Sequence, residues 1–143
     1  MIKILPVQRL TWEISFDMVL HRDVGEYHNN IFHFTTGGSG IAIGDRIPAL
    51  WVKNQLIHFT FVTDTNPNYI FEHDVTINQK ISIKMEQVLV AEQPTVRIFV
   101  DQQVVFNMSH NWKTPFHNIK LYLGNPWFEP GPVTIFDFKY RSE

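Results

Sequence analysis

The chain has 143 residues, 44% of them hydrophobic and 18% charged, with a mean hydropathy of −0.12. That length is enough for one domain with a buried core, and that composition excludes a disordered chain and an integral membrane protein. Twelve Lys and Arg against fourteen Asp and Glu, both signs scattered, leave a net charge of −2 with no basic patch for nucleic acid, and zero cysteines remove disulfides, thiolate nucleophiles and Cys-ligated metals.

In chain order, residues 1–7 hold one lysine and a short apolar run broken by Pro6, too little for a signal peptide or a membrane span. The expectation is an intracellular protein, or a secreted one whose leader has been removed. From Leu10 to Leu20 the apolar residues fall at every second position, Leu10, Trp12, Ile14, Phe16, Met18 and Leu20, which predicts a long strand with one wet face. Phe32/Phe34 repeat the alternation, and the glycine-rich stretch from Thr35 to Gly44 reads as the longest loop. Further runs follow at Ile57/Phe59/Phe61, Ile81/Ile83/Met85, Val96/Ile98/Val100 and Ile119/Leu121/Leu123. Val96–Val100 and Val104–Asn107, separated by Asp101, Gln102 and Gln103, predict a tight hairpin.

Aromatic residues make up 14% of the chain, with twelve Phe, and no long window has helical apolar spacing. Nine or ten antiparallel strands with one apolar face each need a second sheet to cover them. The expectation is therefore an all-β, two-sheet antiparallel sandwich forming one domain over residues 1–143.

The chemistry-bearing residue types point more to binding than to catalysis. Glycoside hydrolysis needs two carboxyls about 5 to 9.5 Å apart, whereas Glu13 and Asp17 on one strand stand about 13 Å apart. Glu72 and Asp74 do have i, i+2 spacing, and read as either a weak hydrolytic pair or a solvated strand end. Gly37-Gly38-Ser39-Gly40-Ile41 fails as a nucleophile elbow, and the glycines miss both phosphate-loop spacings. No His-x-His or His-Glu-x-x-His pattern occurs among seven histidines, and His33 and His58 fall on the polar phase of their strands. Asp64-x-Asn66-x-Asn68 alternates oxygen ligands like the start of a calcium loop, but Tyr69 and Val75 exclude an EF-hand, leaving a looser calcium site at Asp64, Asn66 and Asn68.

Glycan binding asks for an aromatic platform beside planar amides, carboxylates or a guanidinium. Those mixtures recur in the predicted loops at Asn29-Asn30 after Tyr27-His28, at Asn66-Pro67-Asn68-Tyr69, at His110-Asn111-Trp112, and at Asn125-Pro126-Trp127-Phe128-Glu129. Trp12 and Trp51 follow strand phase and are expected in the core; Trp112 and Trp127 lie in connections. Asp45-Arg46 reads as an ion pair pinning the long loop, or as a carboxylate and a guanidinium offered to a polyhydroxyl ligand. Asn107-Met108-Ser109 is a glycosylation sequon.

The long first strand, the segment His33-Phe34-Thr35-Thr36-Gly37-Gly38 followed by Gly44-Asp45-Arg46-Ile47-Pro48-Ala49-Leu50-Trp51, the turn Val100-Asp101-Gln102-Gln103-Val104 and Asn125-Pro126-Trp127 together resemble secreted invertebrate modules with a concanavalin A-like, laminin-G-like jelly-roll sandwich. The resemblance covers most of residues 10–140. It implies carbohydrate binding, protein adhesion or, in some branches, polysaccharide hydrolysis. The glucanase Glu-x-Asp-x-x-Glu arrangement is absent, and the galectin set of His, Asn, Arg, Trp and Glu is not reproduced around His73-Asp74-Val75-Thr76-Ile77-Asn78.

The reading is a non-enzymatic lectin-like module binding a glycan or glycoprotein through Asn30, His33, Asp45, Arg46, Asn68, Tyr69, Trp112, Asn125, Trp127 and Glu129. It needs no cofactor, with calcium left open, and inserts into no membrane. A laminin-G-like adhesion or self-assembly module is the alternative and a glycoside hydrolase the third. A homo-oligomer joined through edge strands is expected, in an extracellular or a cytoplasmic setting.

Overall fold

A computed structural model describes residues 3–109, 111–124 and 127–143. In chain order they form β1 (Lys3–Gln8), β2 (Trp12–Leu20), β3 (Asn29–Thr35), β4 (Ala49–Lys53), β5 (Leu56–Phe61), β6 (Tyr69–Asp74), β7 (Lys80–Val90), β8 (Gln93–Val100), β9 (Gln103–Met108), β10 (Phe116–Leu123) and β11 (Val133–Ser142). The strands build a six-stranded sheet in the order β1-β10-β3-β4-β5-β6 and a five-stranded sheet in the order β11-β2-β7-β8-β9. Every strand pairing is antiparallel, as the period-two patterning requires.

The two sheets meet through the residues the alternation assigns to their inner faces. On β2, Trp12, Ile14, Phe16, Met18 and Leu20 are buried while the residues between them are partly exposed. Phe16 meets Phe32 of the opposite sheet edge to face at 5.7 Å, and Phe34 meets Tyr140 at 5.1 Å. The long strand expected from Leu10 is β2 and starts at Trp12, because Leu10 and Thr11 form a bend.

Three two-residue turns, Asn54-Gln55, Ala91-Glu92 and Asp101-Gln102, have positive φ at both positions, the geometry that matches strand twist in a tight hairpin. The third is one residue shorter than expected, because Gln103 opens β9 and pairs with Val100.

The six-stranded sheet departs from a sheet with one wet face. β3, β4 and β5 are buried on both sides, including His33, Trp51, His58 and Thr60 on the outer face. Their outer cover is the loop 36–48 and the connection between β10 and β11. The loop folds back through Thr36 N–H to Gly44 O (2.8 Å) and Ile47 N–H to Phe34 O (2.9 Å). Gly44 has φ +91°, and a Cβ there would stand 2.6 Å from Thr36 Oγ1, so glycine is required for this fold-back. The β10–β11 connection is held by Asn30, whose N–H donates to Glu129 O (2.9 Å) and whose carbonyl accepts from Gly131 N–H (2.7 Å).

Candidate functional site

Register places the candidate site on the outer face of the six-stranded sheet. Directly opposed residues share a face, so one row runs Tyr122, His33, Ala49, Thr60, Ile70 and the next runs Trp51, His58, Glu72. Trp51 is the floor. It is 2% exposed, its indole N–H donates to Thr60 Oγ1 (3.3 Å), and Thr60 in turn donates to Ala49 O (3.1 Å). Burial of Trp51 agrees with the sequence, but its cover does not. It faces away from the core, beneath Phe128 at 4.9 Å, His33 at 5.6 Å, His28 at 6.1 Å and the Arg46 guanidinium at 5.0 Å.

Arg46 and Asp45 do not form the expected ion pair. Asp45 Oδ2 accepts from Ala42 N–H (3.1 Å) inside its own turn, whereas Arg46 swings over Trp51 and donates from Nη1 to Asn68 Oδ1 (2.9 Å) and from Nη2 to Ser39 O (3.4 Å). The Ala42–Asp45 turn occupies the carboxylate while Asn68 and Ser39 hold the guanidinium, which separates the two charges. Burial works against the guanidinium's charge and the Asp45 field partly offsets it.

His33 is fully buried, and its Nε2–H donates to Asp45 O, which fixes the neutral tautomer. His58 is 7% exposed and neither ring nitrogen has a hydrogen-bond partner; Glu72 Oε1 stands 3.8 Å from Nδ1. His28 packs edge to face on His58 at 5.2 Å. Desolvation lowers the pKa of His28, His33 and His58 below the ordinary histidine value, and the fields of Lys53 at His28 and His58 and of Arg46 at His28 and His33 act in the same direction. All three are neutral at pH 7.

These side chains enclose a pocket of about 210 Å³ lined by His28, Arg46, Trp51, His58, Thr60, Asn68, Ile70 and Phe128. His28 and Phe128 also line an adjoining cleft of about 450 Å³ with Tyr27, Asn29, Trp127, Glu129 and Pro130. The cleft is the exposed part of the site: Tyr27 is 82% exposed, and Trp127 and Phe128 are each more than a third exposed. Trp127 leans on His33 at 5.9 Å and Tyr122 at 5.5 Å. A mostly enclosed pocket with an apolar lining and a few polar groups, opening into an aromatic cleft, suits a small ligand with both polar groups and an apolar face.

The structure brings together His33, Arg46, Asn68, Trp127 and Glu129 of the residues singled out from sequence. Asn30 adjoins them as a structural support, its amide nitrogen donating to Phe32 O (3.1 Å) and Leu50 O (3.3 Å) where β3 bulges against β4. Tyr69 turns inward onto Phe61 (5.3 Å) and Phe106 (5.9 Å), and Asp45 holds its own turn. Trp112 packs at the end of the sandwich, stacked on Phe116 at 6.0 Å beside Gln8, Trp12 and Gln87. Asn125, like His110 and Pro126, lies outside the described residues.

At the calcium candidate, Asn66 Oδ1 accepts from Asn68 N–H (2.9 Å) and Asn68 Oδ1 accepts from Arg46, with Asp64 exposed beside them. Among the described residues no cluster of three His, Asp or Glu is arranged to hold a metal. Glu72 and Asp74 share the outer face of edge strand β6, both exposed at its rim rather than inside the pocket.

The site residues missed from sequence are Trp51, His58, Thr60 and, as a binding group, Glu72; His28 and Phe128 stood in the candidate loop mixtures but not among the chosen binding residues. One signal was available. Trp51 lies between Leu50 and Val52, and His58 between Ile57 and Phe59, so both belong to the face opposite the core. A histidine, arginine, asparagine, tryptophan and glutamate, absent as a linear pattern, thus meet on one sheet face.

Among solved structures, this chain is similar to a native heptameric SAP-like pentraxin from Limulus polyphemus at a TM-score of 0.63 and 9% identity, over 97% of this chain and 66% of that one. It is similar to the receptor binding domain of botulinum neurotoxin D at a TM-score of 0.67 and 9% identity, over 97% of this chain and 35% of that one. Sheep galectin-11, in complex with glycerol, aligns at a TM-score of 0.56 and 11% identity, over 97% of this chain and 95% of that one. The chain thus spans about a third of the toxin domain and just under two thirds of the pentraxin. No family model and no curated protein matches it. At these identities the likeness is one of fold alone, a two-sheet antiparallel jelly-roll sandwich.

Proposed function

We propose that this module binds carbohydrate on the outer face of its six-stranded sheet, in the pocket floored by Trp51 and the aromatic cleft beside it. The observation that carries the reading is His58, a buried imidazole with neither nitrogen hydrogen-bonded and only the Glu72 carboxylate 3.8 Å from Nδ1, in the wall of a pocket that also holds Arg46, Asn68 and Thr60. Hydroxyl groups donate and accept, and so suit a wall of mixed donors and acceptors. Tyr27, Trp127 and Phe128 offer ring faces to the apolar side of a pyranose. The fold shared with a pentraxin and a galectin agrees with this reading. In this reading the module works by recognition; among the described residues the pocket lining holds no carboxylate pair of the kind glycoside hydrolysis uses.

The test is a glycan array probed with the wild-type protein and with Trp127→Ala and Phe128→Ala, each with and without calcium. Specific binding that weakens in variants of unchanged circular dichroism is the expected result. A blank array, or binding indifferent to both substitutions, overturns the reading.

A second reading, self-association, rests on Ile4 and Val104, each more than half exposed on edge strands β1 and β9 of the two sheets. Sedimentation velocity on Ile4→Lys and Val104→Lys tests it; a dimer that dissociates in either variant supports it, and a wild-type monomer overturns it.

A further inference from the structure

We propose that the saccharide bound here is acidic, its carboxylate or sulfate held between Arg46 and His58 in the 210 Å³ pocket. The inference rests on the reading of this face as a sugar site and adds the chemical class of the ligand.

Arg46 brings a positive charge into a partly buried position without a matching negative one. Its two hydrogen bonds go to neutral oxygens, Asn68 Oδ1 and Ser39 O, and Nε is buried with no partner. Among the described residues no carboxylate lies within 4 Å of the guanidinium. A half-buried cation in this state is destabilising unless something supplies the counter-charge. The side-on Nε–Nη2 edge is the one that matches two oxygens of a carboxylate or sulfate, and here only the 3.4 Å contact to Ser39 O engages it.

His58 supplies the second half. It is more than nine-tenths buried, lines the same pocket, and has an N–H for which the structure provides no acceptor. An anionic oxygen accepts from it more strongly than a hydroxyl does. The remaining lining is neutral or apolar, Trp51, Thr60, Asn68, Ile70, Phe128 and uncharged His28.

The other charged groups facing the pocket are Lys53, whose positive field reaches both His28 and His58, and Glu72, a half-exposed rim carboxylate beside His58 Nδ1. Glu129 borders only the outer cleft, and Asp45, whose field reaches Arg46 without direct contact, has one carboxylate oxygen engaged by Ala42 N–H in its own turn. The pocket is therefore locally positive in a chain of net charge −2. A neutral sugar would satisfy His58 but leave the Arg46 charge unmatched.

The deciding experiment is calorimetric titration with a panel in which neutral galacto-, gluco- and manno-oligosaccharides are paired with their uronate and sulfated counterparts. The expected result is that at least one acidic member binds about tenfold or more tightly than its neutral parent, the margin of a charge-assisted pair. Arg46→Gln removes that margin and Arg46→Lys, which keeps charge but not the fork, retains part of it. The margin shrinks with added salt. The uronate and sulfate arms show which anion the pocket prefers. Equal or tighter binding of the neutral members, or an acidic preference that survives in Arg46→Gln, overturns the inference and leaves the sugar site standing. No binding of any member removes the sugar site itself.

Discussion

Asn30 stands where β3 gains a residue against β4, and its side-chain amide satisfies two buried carbonyls that the bulge leaves open. Replacing it with leucine strands both acceptors and is expected to cost about 1–3 kcal/mol. The measurement is urea unfolding, with a lower midpoint at unchanged slope. Histidine burial makes a second prediction at this scale. The folded-state pKa values of His28, His33 and His58 lie below the unfolded value of 6.5, so the unfolded chain takes up protons first. Stability attributable to these groups is complete above about pH 6.5 and falls as the pH drops below it. His33→Gln keeps a donor for Asp45 O. It is expected to be about 1–2 kcal/mol less stable at pH 7.5 yet to lose stability less steeply on acidification, as read from thermal unfolding between pH 7.5 and 5.

At the scale of elements, the tight turns separate residues suited to their geometry from residues that are not. Asp101 tolerates positive φ and its Oδ1 also accepts from Ser82 N–H at 2.9 Å, whereas Ala91 adopts φ +49° with no such compensation. Changing Ala91-Glu92 to Asn-Gly is expected to stabilise the fold by about 1 kcal/mol, raising Tm by roughly 3 °C in calorimetry. Legibility of the strands follows the same physics. β2, β7 and β8 face solvent on one side, and their alternation was plain in the sequence. β1 was not read because Pro6 breaks its run, which an edge strand tolerates. β11 hid its period behind a bulge at Asp137 (φ +53°), where Phe136 and Lys139 oppose residues two apart on β2. β4 reads as an unbroken apolar run because both of its faces are covered.

For the molecule as a whole, ligand binding to a site assembled from β3, β4, β5, the long loop and the β10–β11 connection must stabilise all of them together. A saccharide at about one hundred times its Kd is expected to raise stability by about 2.7 kcal/mol, visible as a higher Tm. The same concentration applied to Arg46→Gln should give a smaller shift.

What the sequence determined by itself was the class of fold. Period-two patterning is local, so strands, antiparallel pairing and the need for a second sheet followed from neighbouring residues, as the absence of a basic patch followed from composition. The site was only partly legible. His33, Arg46, Asn68, Trp127 and Glu129 were singled out by residue type, but Trp51 was assigned to the core because a buried tryptophan looks the same in sequence whichever side of a strand is covered. Tertiary structure decided that question. The cover over Trp51 and His58 comes from Arg46 and Phe128, far apart in the chain, and whether a sheet's outer face is wet or buried depends on loop packing that no local pattern encodes.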